Sequence, residues 1–226
     1  MSEPVPIRKD ADPTFLAENA VKPAMQERSR KRHQDLIDAG KELLRTKDFD
    51  DIPVSAIAST AGCAVGSFYN RFEDKDAFFT ALQVHVLRDI KDSSEHWFDA
   101  QDWENQPVPE LVNNLVTWMV PVFIEHRGLI RAAHRHTGKG SGDWLPIRSL
   151  GQGWTFKTRD LLAARLTHLP EPTARHDVMI AMQFLYGALI NCVINDLGVL
   201  KLADPMLPAA LTRSFLGYLK VPDQAT

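Results

Sequence analysis

Apolar residues recur at spacings of three and four along most of the chain, which is the signature of helices with one buried face. Leu36, Ile37, Gly40, Leu43 and Leu44 make the first such stripe and predict a helix over about residues 27–46. Phe49 and Ile52 then close a small core, and Asp50 or Asp51 is placed to cap the helix that follows. In that second helix Val54, Ile57, Ala58 and Ala61 share a face, with Pro53 suited to the first position, where its missing N–H costs nothing. Gly62 ends it, because glycine enters the left-handed region without steric cost. A third, short helix resumes near Ala64 and runs to Phe72. Phe68 and Phe72, four apart, anchor it inward, leaving Ser67, Tyr69, Asn70 and Arg71 to point elsewhere. Asp74 is the expected cap of a long helix over about 75–98, buried through Phe78, Ala81, Leu82, Val86 and Ile90. A helix of that length must leave the small head and act as a strut.

Beyond a polar connection at 99–108, residues 109–125 read as helix, with Leu111, Leu115, Trp118 and Met119 on one side and Pro121 as a predicted kink or interruption. A short helix follows over 127–136, then a glycine loop over 137–143. Residues 144 to about 168 are helical in bulk, although Gly151 and Gly153 each weaken the middle by about 1 kcal/mol relative to alanine. Pro170 and Pro172 end that helix. The last two helices are predicted over 173–197 and 204–219, with Pro205 opening the latter. The apolar positions of the first exceed what one core face needs, and Leu207, Ala210, Leu211, Ser214, Phe215 and Tyr218 form a near-heptad stripe in the second. Such faces suit either a buried core or a partner helix. Residues 1–26, rich in proline, charge and small residues, read as a flexible arm with a short helical piece near 14–20.

The string around the second and third helices carries more than periodicity. I-A-x-x-A-G at 57–62, G-S-F-Y-x-R-F at 66–72 and then Lys75 closely resemble the N-terminal signature of the TetR family of transcriptional regulators. The resemblance is specific over about residues 28–80. It implies an all-α chain: a three-helix, helix-turn-helix DNA-binding head (27–75) behind the arm (1–26), joined by the long helix to a C-terminal ligand-binding and dimerisation body (76–226). It also implies a homodimer through the last two helices, which would set two heads about 34 Å apart on double-stranded DNA, one turn of a palindromic operator. Ser55, Gly66, Ser67, Tyr69, Asn70, Arg71 and Lys75 match positions that commonly face DNA in this family. The Tyr69 hydroxyl and Lys75 suit phosphate, Val65 and Ser67 suit base edges, and Asn70 or Arg71 suits either. Two residues depart from the pattern. Pro53 replaces the usual threonine, and Ala64 replaces a small hydroxyl that caps the recognition helix, a loss of about 1 kcal/mol.

The chain has 226 residues and a formal net charge of −3, so binding to DNA has to rest on a local patch. Arg28, Arg30, Lys31 and Arg32, at the start of the first helix and just ahead of its apolar stripe, supply one. No run approaches the ~18 apolar residues of a membrane span, and the N-terminus has no apolar signal core, which points to the cytoplasm. Cys63 and Cys192 read as small core residues rather than a disulfide.

Enzymatic chemistry finds little foothold. The densest ligand-bearing group, His126, His134 and His136 with Glu125 and Asp143, lacks H-E-x-x-H and paired-cysteine spacings, so no metal or cofactor is expected. Ser67 and Ser141 are not in a nucleophile elbow, and the glycines of 138–142 lack the spacing of a phosphate loop. The aromatic content of the body suggests instead a cavity between helices for a small apolar or aromatic effector. Trp118, Phe123, His134, Trp154, Gln183, Phe184 and Asn191 are the candidate lining. The leading expectation is a ligand-responsive repressor. The alternatives are a DNA-binding regulator controlled by a protein partner and, from another class, an all-helical enzyme using the histidines near 126–136.

Overall fold

A computed structural model of the chain describes residues 23–137, 144–195 and 198–221. Residues 1–22 of the expected arm and the glycines of 138–142 lie outside these residues, as do Ser141 and Asp143. Every described element is helical: α1 (Pro23–Leu44), α2 (Val54–Thr60), α3 (Val65–Tyr69), α4 (Lys75–Ala100), α5 (Val108–Glu125), α6 (Arg127–Thr137), α7 (Trp144–Leu162), α8 (Glu171–Ile194) and α9 (Leu207–Tyr218), with 3-10 turns at Phe49–Asp51 and Ala163–Arg165.

The head closes around phenylalanines. Phe68 is fully buried, with the rings of Phe72 and Phe78 centred 5.4 and 5.2 Å away, and Phe49 meets Phe79 at 4.7 Å. Phe78 and Phe79 come from α4, so the strut begins inside the core of the head rather than after it. Gly40 lets α1 cross α4 closely: a Cβ there would lie 2.7 Å from the Phe78 ring and 2.9 Å from a Leu82 methyl. Asp74 caps α4 as expected, accepting the Ala77 N–H at 2.7 Å.

Several boundaries differ from the sequence reading. α1 starts at Pro23, so residues 23–26 belong to it. Pro53 is the N-cap of α2, one residue before the helix, with no side chain capping it. Asp50 and Asp51 lie in the preceding 3-10 turn, and the Asp50 carboxylate instead meets Arg135 at 2.9 Å. α3 ends at Tyr69. Pro121 does not interrupt α5; it and Thr117, whose carbonyl loses its helical partner, both face solvent. α7 gives way to the 3-10 turn at Ala163, and α9 opens at Leu207.

In the body α5 is the central rod, with Leu111, Val112, Leu115, Val116 and Met119 fully buried, and it packs on α9 and α8. Trp118 stacks on Trp97 at 4.8 Å and meets Trp154 edge-on at 5.0 Å. α8 is long and apolar enough to cross a membrane by length and composition, yet here it packs against α5, α6, α7 and α9.

Candidate functional site

The turn between α2 and α3 is built by backbone geometry. Gly62 has φ +63°. The Cys63 N–H donates to the Ala58 carbonyl at 2.9 Å and the Gly62 N–H to the Ser59 carbonyl at 3.0 Å, the paired bonds of a glycine C-terminal cap. α3 then starts at Ala64 without a side-chain cap, the departure noted in the sequence. With Phe68 turned inward, Val65 and Tyr69 stand 41% and 55% exposed, and Gly66 and Asn70 are exposed beside them. Ser67 is half-buried and Ser55, on α2, is exposed. Arg28, Arg30 and Lys31 are exposed on α1.

Three of the cations singled out for DNA are held within the head. The Arg71 guanidinium donates to both the carbonyl and the hydroxyl of Ser29, tying the end of α3 to α1. Lys75 Nζ donates to the Asp50 carbonyl at 3.1 Å and sits 4.6 Å from the Phe49 ring centre; burial lowers its pKa, against the pull of Asp50, Asp51 and Asp76. Arg32 reaches the Gly62 carbonyl at 3.5 Å. These long side chains fasten α1, the turn and α4 together, a role that spacing alone does not suggest.

Histidines mark the joints around the head. His33 of α1 packs against Phe72 at 5.4 Å and His85 of α4 at 5.7 Å. Burial, then Arg71 and His85, lowers the pKa of His33. Burial, then Lys41 and Arg88, lowers that of His85 against the opposing Asp89 and Asp38. His126, between α5 and α6, is lowered mainly by burial. A folded-state pKa below the ordinary 6.5 means that the unfolded chain takes up protons first. The stability these groups contribute is therefore present above about pH 6.5 and lost as pH falls from there through the lowered values. The thermal midpoint is expected to fall between pH 7.5 and 5.5, and His33→Gln to flatten that fall. An unchanged pH profile in the variant would show that His33 is not one of the groups responsible.

A second site lies in the body. A cavity of about 540 Å³ opens between α4 and the helices α5 to α8. Its apolar walls include Leu87 and Ile90 of α4, Phe123 of α5, and Leu129 and Ile130 of α6; Trp154 of α7 and Met179 of α8 close it. Polar groups come from His126, Arg148, Gln152, Thr155, His176, Gln183 and Tyr186. The Tyr186 hydroxyl donates to the Gly151 carbonyl at 2.9 Å, and burial pushes its pKa up.

Of the residues proposed for this lining, Phe123, Trp154 and Gln183 are there. The other four lie elsewhere. Trp118 is held between Trp97 and Trp154 in the core. His134 is exposed, edge-on to Trp144. Phe184 is 56% exposed on the opposite side of α8, against Tyr218 of α9 at 5.2 Å, and Asn191 faces solvent. The sequence reading missed Arg148 and His126 as lining. Among the described residues no three His, Cys, Asp or Glu side chains gather as a metal site.

Head and cavity meet through α6. His126, Leu129 and Ile130 line the cavity. Between and after them, Gly128 packs against the end of α1, where a Cβ would fall 2.6 Å from the Leu44 carbonyl. Arg131 and Arg135 hold Asp48 at 3.4 and 3.6 Å, and Arg131 Nε also donates to the Val193 carbonyl of α8 at 2.7 Å.

Comparison with known proteins agrees with this architecture. Residues 36–82 match the family model of the bacterial regulatory proteins, tetR family; no curated protein matches the chain by sequence. A TetR-family transcriptional regulator from Streptomyces coelicolor is 17% identical, with 85% of this chain and 82% of that one covered and a TM-score of 0.62. A transcriptional regulator from Rhodococcus sp. Rha1 is 16% identical over 85% and 94% of the two chains, with a TM-score of 0.52. GusR of Salmonella enterica is 15% identical over 84% and 95%, with a TM-score of 0.51. A glycine-turned helix pair in the matched segment, set on a phenylalanine core and continued by a strut into an all-helical body, leads to one conclusion: the head of this chain matches the tetR family of bacterial regulatory proteins over residues 36–82, and the whole shares the fold of solved TetR-family transcriptional regulators.

Proposed function

We propose that the chain acts in the cytoplasm as a homodimeric, ligand-responsive repressor that leaves a palindromic operator when a small apolar or aromatic molecule fills the cavity. The observation that carries this reading is the double duty of α6, which walls the cavity with Leu129 and Ile130 and grips the head through Arg131 and Arg135. A molecule that moves the wall moves the grip, and operator affinity changes by the difference in ligand affinity between the two head positions. Control by a protein partner alone would leave a cavity of this size without a role.

On DNA, α3 enters the major groove. Val65 and Ser67 face base edges, and the open surface over Gly66 lets the backbone come close. Tyr69, Asn70 and Ser55, with Arg28, Arg30 and Lys31, set register on phosphates. Arg32, Arg71 and Lys75 join them by exchanging internal partners for phosphate oxygens. The dimer forms across α8 and α9, where Phe184 stands exposed beside Tyr218 and Gly187 and Gly217 have open space above them. That second face explains why α8 carries apolar residues on more than one side.

The test pairs a titration of DNA from upstream of the chain's own gene with light scattering. Wild type is expected to bind selectively at low salt as a dimer. Phe184→Glu is expected to run as a monomer and to lose most operator affinity, because one head alone makes half the contacts. Selective binding by a monomer, or none by the wild-type dimer, would sink the reading.

A further inference from the structure

We infer that the molecule admitted by the body cavity is an apolar acid, its carboxylate seated on Arg148 and its hydrocarbon part between α4, α6 and α8. This rests on the effector reading above and goes one step further, to ligand chemistry. Leu87 and Ile90 of α4 and Leu129 and Ile130 of α6 give the cavity apolar walls, whereas Arg148, Gln152 and Thr155 recur along α7 at spacings of four and three, so they share one face of that helix.

Two observations select an anion. No described residue lining the cavity is a carboxylate, so a cationic ligand finds no counter-charge. Arg148 is the one lining residue that is always charged, and it makes no ion pair among the described residues, so its fork is open to a carboxylate, with the Gln152 amide one turn on. A neutral hydrocarbon fills the volume but leaves the guanidinium unpaired.

The experiment compares three molecules of one shape, 4-phenylbutanoate, 4-phenylbutan-1-ol and 4-phenylbutan-1-amine, titrated into the full-length chain at pH 7.5 by calorimetry and tryptophan fluorescence. The acid is expected to bind about tenfold tighter than the amine, with the alcohol between. Arg148→Gln is expected to bring the acid down to the alcohol, and Arg148→Lys to keep part of the preference. Arg148 is exposed, so both variants should melt as the wild type does, and a melt confirms that before titration. An amine that binds as tightly as the acid, or an acid preference that survives Arg148→Gln, overturns the acid and leaves the effector reading standing. If none of the three binds the wild type, the acid assignment fails, and the effector reading loses its cavity ligand with it.

Discussion

Phe68→Ala is expected to cost about 3–5 kcal/mol and to abolish operator binding, because it empties the centre of the head rather than trimming its surface. Phe68 is fully buried, and its ring touches those of Phe72 and Phe78 as well as Tyr69, at 5.4 Å. α3 is a single short turn of helix from Val65 to Tyr69 with no side-chain cap, too short to persist alone. What holds it at a fixed angle is that one inward ring, helped by the tie from Arg71 to Ser29. Against a total stability of about 5–15 kcal/mol for a folded protein, the loss is large enough to read as a drop in the urea midpoint. The paired control is Tyr69→Phe. It keeps the exposed ring and removes only the hydroxyl, so it should leave the midpoint unchanged while weakening binding to all DNA sequences alike. If Phe68→Ala kept both midpoint and operator affinity, α3 would have to be positioned by something other than this core.

The two substitutions also mark what could be read from the chain before its fold was known. The helix pair was legible because its determinants are local: Gly62 at the turn, Phe68 and Phe72 four apart, Asp74 three before the N–H it caps. The fastenings were not. Arg71 and Ser29 are 42 residues apart and Lys75 and Asp50 are 25 apart, so side chains that look free for phosphate in a linear motif turn out to be engaged. The cavity was harder still. On α8, Tyr186 points to α7 and Phe184 to α9, two residues apart, and both sides of the helix are apolar. Nothing in the pattern tells which side faces inward, because that depends on which neighbour packs where. His126, just before α6, and His134, within it, present the same problem: one is lodged at the joint by burial and the other is left outside. Asp50 fails as a helix cap because it sits in the 3-10 turn ahead of Pro53, where Arg135, far along the chain, meets its carboxylate.

Gly128→Ala is expected to act at a distance, which makes it the sharper test of how cavity and head communicate. The added methyl would lie 2.6 Å from the Leu44 carbonyl and 3.1 Å from that of Lys47. These are backbone atoms at the end of α1 and in the turn after it, so the strain cannot be relieved by swinging a side chain aside. Either α6 backs away from the head or the head tilts on α4, at a cost of about 1–3 kcal/mol. Both movements strain the hold of Arg131 and Arg135 on Asp48, and so the head geometry that two grooves one turn apart require. Operator affinity should therefore fall by more than the change in dimer stability accounts for, and cavity ligands should lose part of their effect on what remains. Gly153→Ala in α7 is the matching control: it has open space where the methyl would go, and removing a mid-helix glycine should stabilise by about 1 kcal/mol. The same chemical change thus has opposite signs at two glycines. Melts of the two variants, beside operator titrations with and without 4-phenylbutanoate, separate strain at the α1–α6 contact from a general intolerance of added volume. A Gly128→Ala variant that melts and binds like wild type would remove α6 as the link.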